Sequence, residues 1–68
     1  MKAFIEWKKL PKGTYTYTHA GLTVDVWPIG TLRGTAYKWT IRDEDIYLDQ
    51  GEEASLDAAC EAALKFMP

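Results

Sequence analysis

Apolar and polar side chains alternate with a period of two over much of the chain. One such run covers residues 14–18, and a second covers residues 22–27, with Leu22, Val24 and Val26 on one side. Because successive side chains of a strand point to opposite faces, each run predicts a strand with one apolar face. Gly21 lies between the runs and suits a tight connection, so residues 14–27 are predicted to form a β-hairpin.

The same alternation predicts further strands. Residues 35–41 place Tyr37, Trp39 and Ile41 on one face, and residues 3–7 are compatible with a short first strand. These strands are separated by stretches rich in Pro, Gly or charge, which predict turns and loops. The predicted connections are residues 8–13, 28–34 and 42–45.

A short last strand is predicted over residues 46–48, with Ile46 and Leu48 pointing inward and Tyr47 pointing outward. Residues 49–51 contain Gly51 and are predicted to end it.

The C-terminal stretch has the periodicity of an amphipathic helix. Ser55 is a favourable N-cap, because its hydroxyl can accept a hydrogen bond from a free amide of the first turn. The buried stripe follows i, i+3, i+4, i+7 spacing: Leu56, Ala59, Cys60, Ala63, Phe66 and Met67. The chain is therefore predicted to be one α+β domain over residues 1–68. Its fold would be an antiparallel meander of three to five strands with one C-terminal helix packed on one face.

Residue types that support catalysis are scarce in this chain. There is one His, one Ser and one Cys, and Cys60 falls on the predicted buried stripe while Ser55 is explained as a cap. A nucleophile–base pair would require one of these residues beside His19, which lies in the hairpin turn. We expect no enzymatic activity and no cofactor.

Metal binding and membrane insertion are also poorly supported. The acids after Asp43 only vaguely resemble a calcium loop, because Leu48 and Ala54 occupy its sixth and twelfth positions instead of Gly and Glu. No apolar run approaches the roughly 20 residues of a membrane span. With a single cysteine and no visible signal peptide, the chain is expected to work in the cytoplasm.

The charges are unevenly distributed. The net charge is −2, yet eight of the ten acids lie between Asp43 and Glu61, a stretch without Lys or Arg. These acids either solubilise the chain and favour the helix N-terminus, or dock on a basic surface of a larger complex. The acids predicted to contact a partner are Asp43, Glu44, Asp45, Asp49, Glu52 and Glu53.

Two aromatic side chains are predicted to face away from the helix. If Leu22 and Val26 point toward the helix, Trp27 points to the opposite face, and Tyr47 also points outward. Trp and Tyr are frequent anchors of protein interfaces. The alternative for Trp27 is that it folds over the sheet edge or is covered by the loop that begins at Pro28. Lys38 and Arg42 share this outer region, so nucleic-acid binding is an alternative. The acidic net charge disfavours it.

The layout resembles small phage and mobile-element proteins built from an antiparallel sheet and one C-terminal helix. The matching pieces are Tyr-Lys-Trp-Thr-Ile at 37–41, Asp-Gln-Gly at 49–51 and the Ala-rich stretch at 54–64. A strand followed by a Ser- or Thr-capped Ala-rich helix is similar to HicB-type antitoxins and integrase arm-binding domains. Among small acidic phage proteins, the resemblance extends to inhibitors of host defences, including anti-CRISPR proteins.

The resemblance implies a non-enzymatic inhibitor that contacts a larger host protein or ribonucleoprotein complex. In that role Trp27 and Tyr47 would be apolar anchors, and the six acids would give electrostatic fit. A small nucleic-acid-binding or antitoxin-like module using Lys38 and Arg42 is the alternative. A homodimer formed through edge strands is a third possibility.

Overall fold

The computed structural model describes residues 7–66, which form one five-stranded antiparallel sheet and one helix. The strands follow one another in the order β1-β2-β3-β4-β5, so each pairs with its neighbour in sequence. This arrangement confirms the predicted α+β meander. The elements are β1 (Lys8–Lys9), β2 (Tyr15–His19), β3 (Leu22–Thr31), β4 (Gly34–Asp43), β5 (Ile46–Glu53) and α1 (Leu56–Leu64).

The predicted hairpin over residues 14–27 is confirmed. β2 and β3 pair from Tyr15 opposite Val26 to His19 opposite Leu22. The two connecting residues both have positive φ, 53° at Ala20 and 82° at Gly21. Such a turn matches the right-handed twist of the flanking strands, and a glycine at its second position takes the conformation without steric cost.

The predicted loop at residues 28–34 is wrong. β3 continues to Thr31, β4 begins at Gly34, and only Leu32 and Arg33 form the turn between them. Pro28 is tolerated within the strand because β2 pairs with β3 only as far as Val26. Beyond that point β3 is an edge strand on the β2 side, where a missing amide donor costs little.

The last strand also differs from the prediction. β5 does not end at residues 49–51 but runs to Glu53, and the predicted turn at 42–45 shrinks to Glu44 and Asp45. Ile46 and Leu48 were expected to point inward, but both are exposed. The reason is a β-bulge: Ile41 pairs with Asp49 while Arg42 pairs with Tyr47, which leaves Leu48 as an extra residue and interrupts the alternation.

The start of the described chain contributes to the core through Trp7. The strand expected over residues 3–7 lies outside the described residues except for Trp7, which is buried and belongs to no strand. Its ring stacks on Tyr17 with centroids 5.6 Å apart. Lys8 and Lys9 were predicted to belong to a connection, but they form β1 and pair with Thr16 and Tyr15 of β2.

The core lies between α1 and one face of the sheet. The strands contribute Val24, Val26, Trp39 and Ile41, all buried, with Tyr15 and Tyr17 packed against them. From the helix, the buried residues are small: Ala59, Cys60 and Ala63. Small side chains let the helix backbone approach the sheet closely.

The helix begins as predicted and ends earlier than the predicted stripe. The Ser55 Oγ accepts a hydrogen bond from the Ala58 N–H at 3.1 Å, which confirms the N-cap. α1 ends at Leu64, so Phe66 falls beyond the last turn and is exposed, although its ring lies 5.8 Å from that of Trp39. Met67 lies outside the described residues.

Candidate docking surface on the outer sheet face

The sheet face opposite α1, here called the outer face, carries the side chains that alternate with the core positions. The ladders place Trp27 beside Lys38, and Lys38 beside Glu52, in one row across three strands. A neighbouring row contains Asp25, Thr40 and Gln50, and a third contains Thr23, Arg42 and Tyr47. Among residues 7–66, no helix covers these rows, because α1 packs against the core on the opposite face.

A groove of about 560 Å³ lies on this face. It is lined by Trp27 of β3, by Lys38 and Thr40 of β4, and by residues 47–50 of β5. We call it the outer groove. Its volume falls within the range of roughly 300–1,000 Å³ that is typical of ligand pockets. The predicted anchors Trp27 and Tyr47 therefore both line one concave surface.

The β-bulge shapes the β5 wall of the groove. It places Tyr47 and the additional Leu48 next to each other along the strand, and both line the groove. Tyr47 is 67% exposed and Leu48 is 53% exposed. Large apolar side chains at this exposure are available for contact with another molecule.

The central strands of the outer face carry an ion pair. The Arg42 Nε donates to the Asp25 Oδ2 at 3.3 Å, and the Arg42 Nη1 donates to the Glu44 carbonyl oxygen at 3.0 Å. The two side chains are only partly exposed, 32% for Arg42 and 21% for Asp25. Arg42, predicted as a partner-binding residue, is thus already committed to contacts within the chain.

The six predicted acids follow β5 and its preceding turn, and they do not share one face. Asp43, Glu44 and Asp45 lie at the β4–β5 connection, and Asp49 accepts a hydrogen bond from the Gln50 N–H at 2.8 Å. Glu52 lies across from Lys38 on the outer face.

Glu53 faces the helix side instead, where its Oε2 accepts a hydrogen bond from the Trp39 Nε1 at 3.4 Å. Within residues 7–66, the Arg42–Asp25 contact is the only ion pair. None of these six carboxylates forms an ion pair with a described cation, although Lys38 lies across from Glu52.

The three residues considered for catalysis, Cys60, His19 and Ser55, do not form a nucleophile–base pair in the structure. Cys60 is buried in the core, and this burial, with a smaller contribution from Asp57 and Glu61, raises the pKa of its thiol to about 11. A thiol with so high a pKa is a poor nucleophile at neutral pH. His19 is exposed, and its ring stacks on that of Tyr17 with centroids 6.2 Å apart. Ser55 caps the helix. No group of three or more potential metal ligands is present in the described part of the chain.

Three groove residues were missed by the sequence analysis: Thr40, Leu48 and Gln50. Leu48 was assigned to the core because a regular alternation from Ile46 puts it there. The only available signal was the unbroken apolar run Ile46-Tyr47-Leu48, which an exposed edge strand with a bulge can accommodate. Thr40 and Gln50 carry no signal of their own, since polar side chains are expected on a solvated face.

Comparison with protein families, with curated proteins and with solved structures finds no match for this chain. Within residues 7–66, no helix is long and apolar enough to cross a membrane.

Proposed function

We propose that this chain is a non-enzymatic protein-binding module that binds a larger partner through its outer groove. The observation that carries the proposal is the position of Trp27 and Tyr47, which line one groove on the sheet face that α1 leaves uncovered. Aromatic side chains with an apolar body and a polar tip bury a large area at low entropic cost, and they dominate the binding energy of many interfaces.

The specific form of the proposal is an inhibitor of phage type that acts in the host cytoplasm. The partner would be a host defence protein or ribonucleoprotein complex, as for anti-CRISPR proteins, and the chain would occupy a basic site on it. Two features support this form: the resemblance in size and layout, and the excess of carboxylates along β5 and its turn, none of which forms an ion pair within residues 7–66. Acidic surfaces accelerate encounter with basic sites and exclude acidic competitors.

Nucleic-acid binding through Lys38 and Arg42 is the competing function. Arg42 contacts Asp25 and the Glu44 carbonyl, and Lys38 lies across from Glu52, so both cations have acidic neighbours. Phosphate binding requires a basic footprint. On the outer face basic and acidic side chains are mixed, and this favours a protein partner over a nucleic acid.

Affinity capture tests the proposal. The tagged chain is used to retain proteins from bacterial lysates, and retained proteins are identified by mass spectrometry. We expect the double variant Trp27→Ser, Tyr47→Ser to lose the retained partner. The matched control is Leu32→Ser, which removes a fully exposed apolar side chain outside the groove and should retain the partner.

Circular dichroism of both variants shows whether the fold is intact. Equal retention by the groove variant and the parent chain would refute the proposal. Binding of a labelled duplex at about 50 mM salt, lost in a Lys38→Ser variant, would establish the competing function instead.

A further inference from the structure

We propose that the outer groove accepts a proline-rich segment of the partner in the polyproline II conformation, with proline rings against Trp27 and Tyr47. The carbonyl oxygens of the segment would accept hydrogen bonds from side chains of the groove. This inference rests on the proposed function, since it names the chemistry of the segment that would occupy the same groove. Three properties of the groove lead to it: its unpaired hydrogen-bond donors, its balanced charge and the spacing of its two aromatic rings.

The polar side chains that line the groove are mostly donors without a partner. Thr40 of β4 is only 6% exposed, yet its hydroxyl makes no hydrogen bond within residues 7–66. Four more lining side chains carry an N–H or O–H and make no hydrogen bond in this part of the chain: Trp27, Lys38, Tyr47 and Gln50. Polar groups in buried positions are nearly always hydrogen-bonded. The groove is therefore suited to a ligand that brings acceptors.

A proline-rich segment brings acceptors without donors. Proline has no N–H, and the carbonyls of a polyproline II segment make no internal hydrogen bonds. An ordinary extended segment would add N–H groups that need acceptors, and the Asp49 carboxylate at the groove border already accepts from the Gln50 N–H at 2.8 Å. An α-helix pairs its own carbonyls and would leave the groove donors unpaired. Of these three backbones, polyproline II matches the groove best.

The charges around the groove favour a neutral segment. Lys38 is the outer-face charge that lines the groove, and it lies across from Glu52 on the same face. Asp49 only borders the groove, because the strand register places it opposite Ile41 on the helix side. An acidic segment would meet Glu52 beside the cation, and a basic segment would meet Lys38 itself. A neutral segment avoids both repulsions.

The two aromatic rings lie at opposite ends of the groove. Trp27 pairs with Lys38 and Tyr47 pairs with Arg42, so the two positions are four β4 residues apart and lie on either side of β4. At about 3.3 Å per residue and about 4.8 Å per strand, their backbones are roughly 16 Å apart along a diagonal.

A polyproline II segment fits this diagonal. It rises about 3.1 Å per residue, so about five residues cover the distance between the two backbones. With three residues per turn, side chains at i and i+3 share a face and lie about 9 Å apart. Because the side chains of Trp27 and Tyr47 both line the space between their backbones, a proline pair at this spacing can contact both rings.

Synthetic peptides test the preference for proline. The probe is a capped eight-residue peptide with proline at positions 3 and 6 and with alanine and serine elsewhere. One control replaces both prolines by alanine, and two others carry a pair of glutamates or a pair of lysines at positions 4 and 5. Binding is measured at about 50 mM salt, where charge effects are weakly screened, by amide and indole NMR shifts.

We expect the proline peptide to shift the Trp27 indole and the Gln50 signals. The alanine control should bind at least tenfold more weakly, because it loses the preformed backbone and the ring contacts. Neither charged peptide should bind more tightly than the probe.

Two single variants locate the contacts. Thr40→Val removes the groove hydroxyl and keeps the shape of the side chain, and it should weaken the proline peptide about three- to tenfold. The matched control Thr16→Val makes the same change on the outer face of β2, outside the groove, and should bind as the parent does. Tyr47→Leu removes an exposed ring and should weaken binding at least tenfold. Circular dichroism of the variants shows whether the fold is intact.

The outcomes separate this inference from the proposed function. Equal binding of the proline and alanine peptides, or no binding, would overturn the inference. So would tighter binding of a charged peptide, or unchanged binding in Thr40→Val. An indole shift that depends on protein concentration without peptide would mean that a second copy covers the groove, which also contradicts it. If the partner is nevertheless captured through Trp27 and Tyr47, the proposed function stands. Displacement of the peptide by a nucleic-acid duplex, with the same indole shift, would refute both.

Discussion

Gly51 and Trp39 face each other in the β4–β5 ladder, and the glycine makes room for the indole ring. A Cβ at position 51 would lie 2.8 Å from the Cε2, Cζ2 and Nε1 atoms of Trp39. Contacts this short are essentially never observed, so the ring could not keep its position against any larger residue. Trp39 is a core side chain, buried on the helix side of the sheet. The absence of a side chain at Gly51 is therefore part of the core packing.

We expect Gly51→Ala to lower the free energy of unfolding by about 1–3 kcal/mol, because the indole must move out of a packed core. Urea denaturation followed by fluorescence measures the effect. The matched control is Gly30→Ala, where an added Cβ meets no atom within 4 Å and φ is not positive. The control should be neutral or slightly stabilising, and equal losses in the two variants would contradict the packing explanation.

Cys60 should make the stability depend on alkaline pH. The pKa of its thiol rises from 9.0 to about 11 on folding, chiefly because burial disfavours the thiolate. The neutral thiol is therefore favoured in the folded state, and its contribution is complete below pH 9. Between about pH 9 and pH 11 the unfolded chain ionises first, so roughly 2–3 kcal/mol of unfolding free energy should be lost.

The variant Cys60→Ala isolates this contribution from the titration of Tyr and Lys side chains. It should show a smaller loss of stability between pH 9 and pH 11 than the parent chain, whatever its stability at pH 7. Alkylation by iodoacetamide at pH 8 gives a second measurement, since the buried thiol should react only after unfolding. Parallel stability curves for the parent and the variant would show that Cys60 does not cause the effect.

The Arg42–Asp25 ion pair should contribute modestly to stability. A double-mutant cycle with Arg42→Gln and Asp25→Asn is expected to give a coupling free energy of about 0.5–1 kcal/mol, because both groups remain partly exposed. Raising the salt concentration to about 0.5 M should reduce the coupling by screening. A coupling near zero at low salt would mean that Arg42 is free for an outside partner, which would strengthen the nucleic-acid alternative.

Residues 29–36 form an arm in which β3 and β4 pair only with each other. The Thr31 Oγ1 braces its turn, donating to the Gly34 carbonyl at 2.9 Å and accepting from the Arg33 N–H at 3.2 Å. Because a two-stranded ribbon is marginally stable by itself, we expect Thr31→Val to speed amide exchange in the arm while global stability stays nearly unchanged. Leu32→Ser at the exposed tip should change neither, which makes it the control. A global loss in Thr31→Val would show that the arm folds cooperatively with the core.

Local pattern was sufficient for the elements whose two faces differ clearly. The alternation around Val24 and Val26 predicted the β2–β3 hairpin, and Ser55 with the spacing of Ala59, Cys60 and Ala63 predicted the helix. In each case one face is buried and the other is solvated, so apolar residues recur along the sequence with the period of the strand or of the helix. The same alternation predicted that Trp27 and Tyr47 point away from the helix, and both line the outer groove.

Local pattern failed where the structure depends on neighbouring strands. Pro28 and Gly30 were predicted to lie in a loop, yet both belong to β3. Pairing with β2 stops at Val26, so beyond that residue β3 has a free edge on which Pro28 needs no amide donor. Ile46 and Leu48 were predicted to lie in the core, but both are exposed because β5 is an edge strand with a bulge. The six acids predicted to contact a partner are close together in sequence but do not form one surface, since alternation along β5 sends Glu52 to the outer face and Glu53 toward Trp39.

By itself, the sequence determined the meander, the helix, the side of the sheet that is buried and the excess of acids after Arg42, because these depend on residue type and spacing along the chain. Only the tertiary structure decided that Trp27, Lys38 and Tyr47 share one groove, that Arg42 is held by Asp25, and that Gly51 receives the indole of Trp39. These relationships depend on strand register and on a single extra residue at Leu48. A shift of one residue in pairing reverses which side chains meet, and local propensities do not encode that choice.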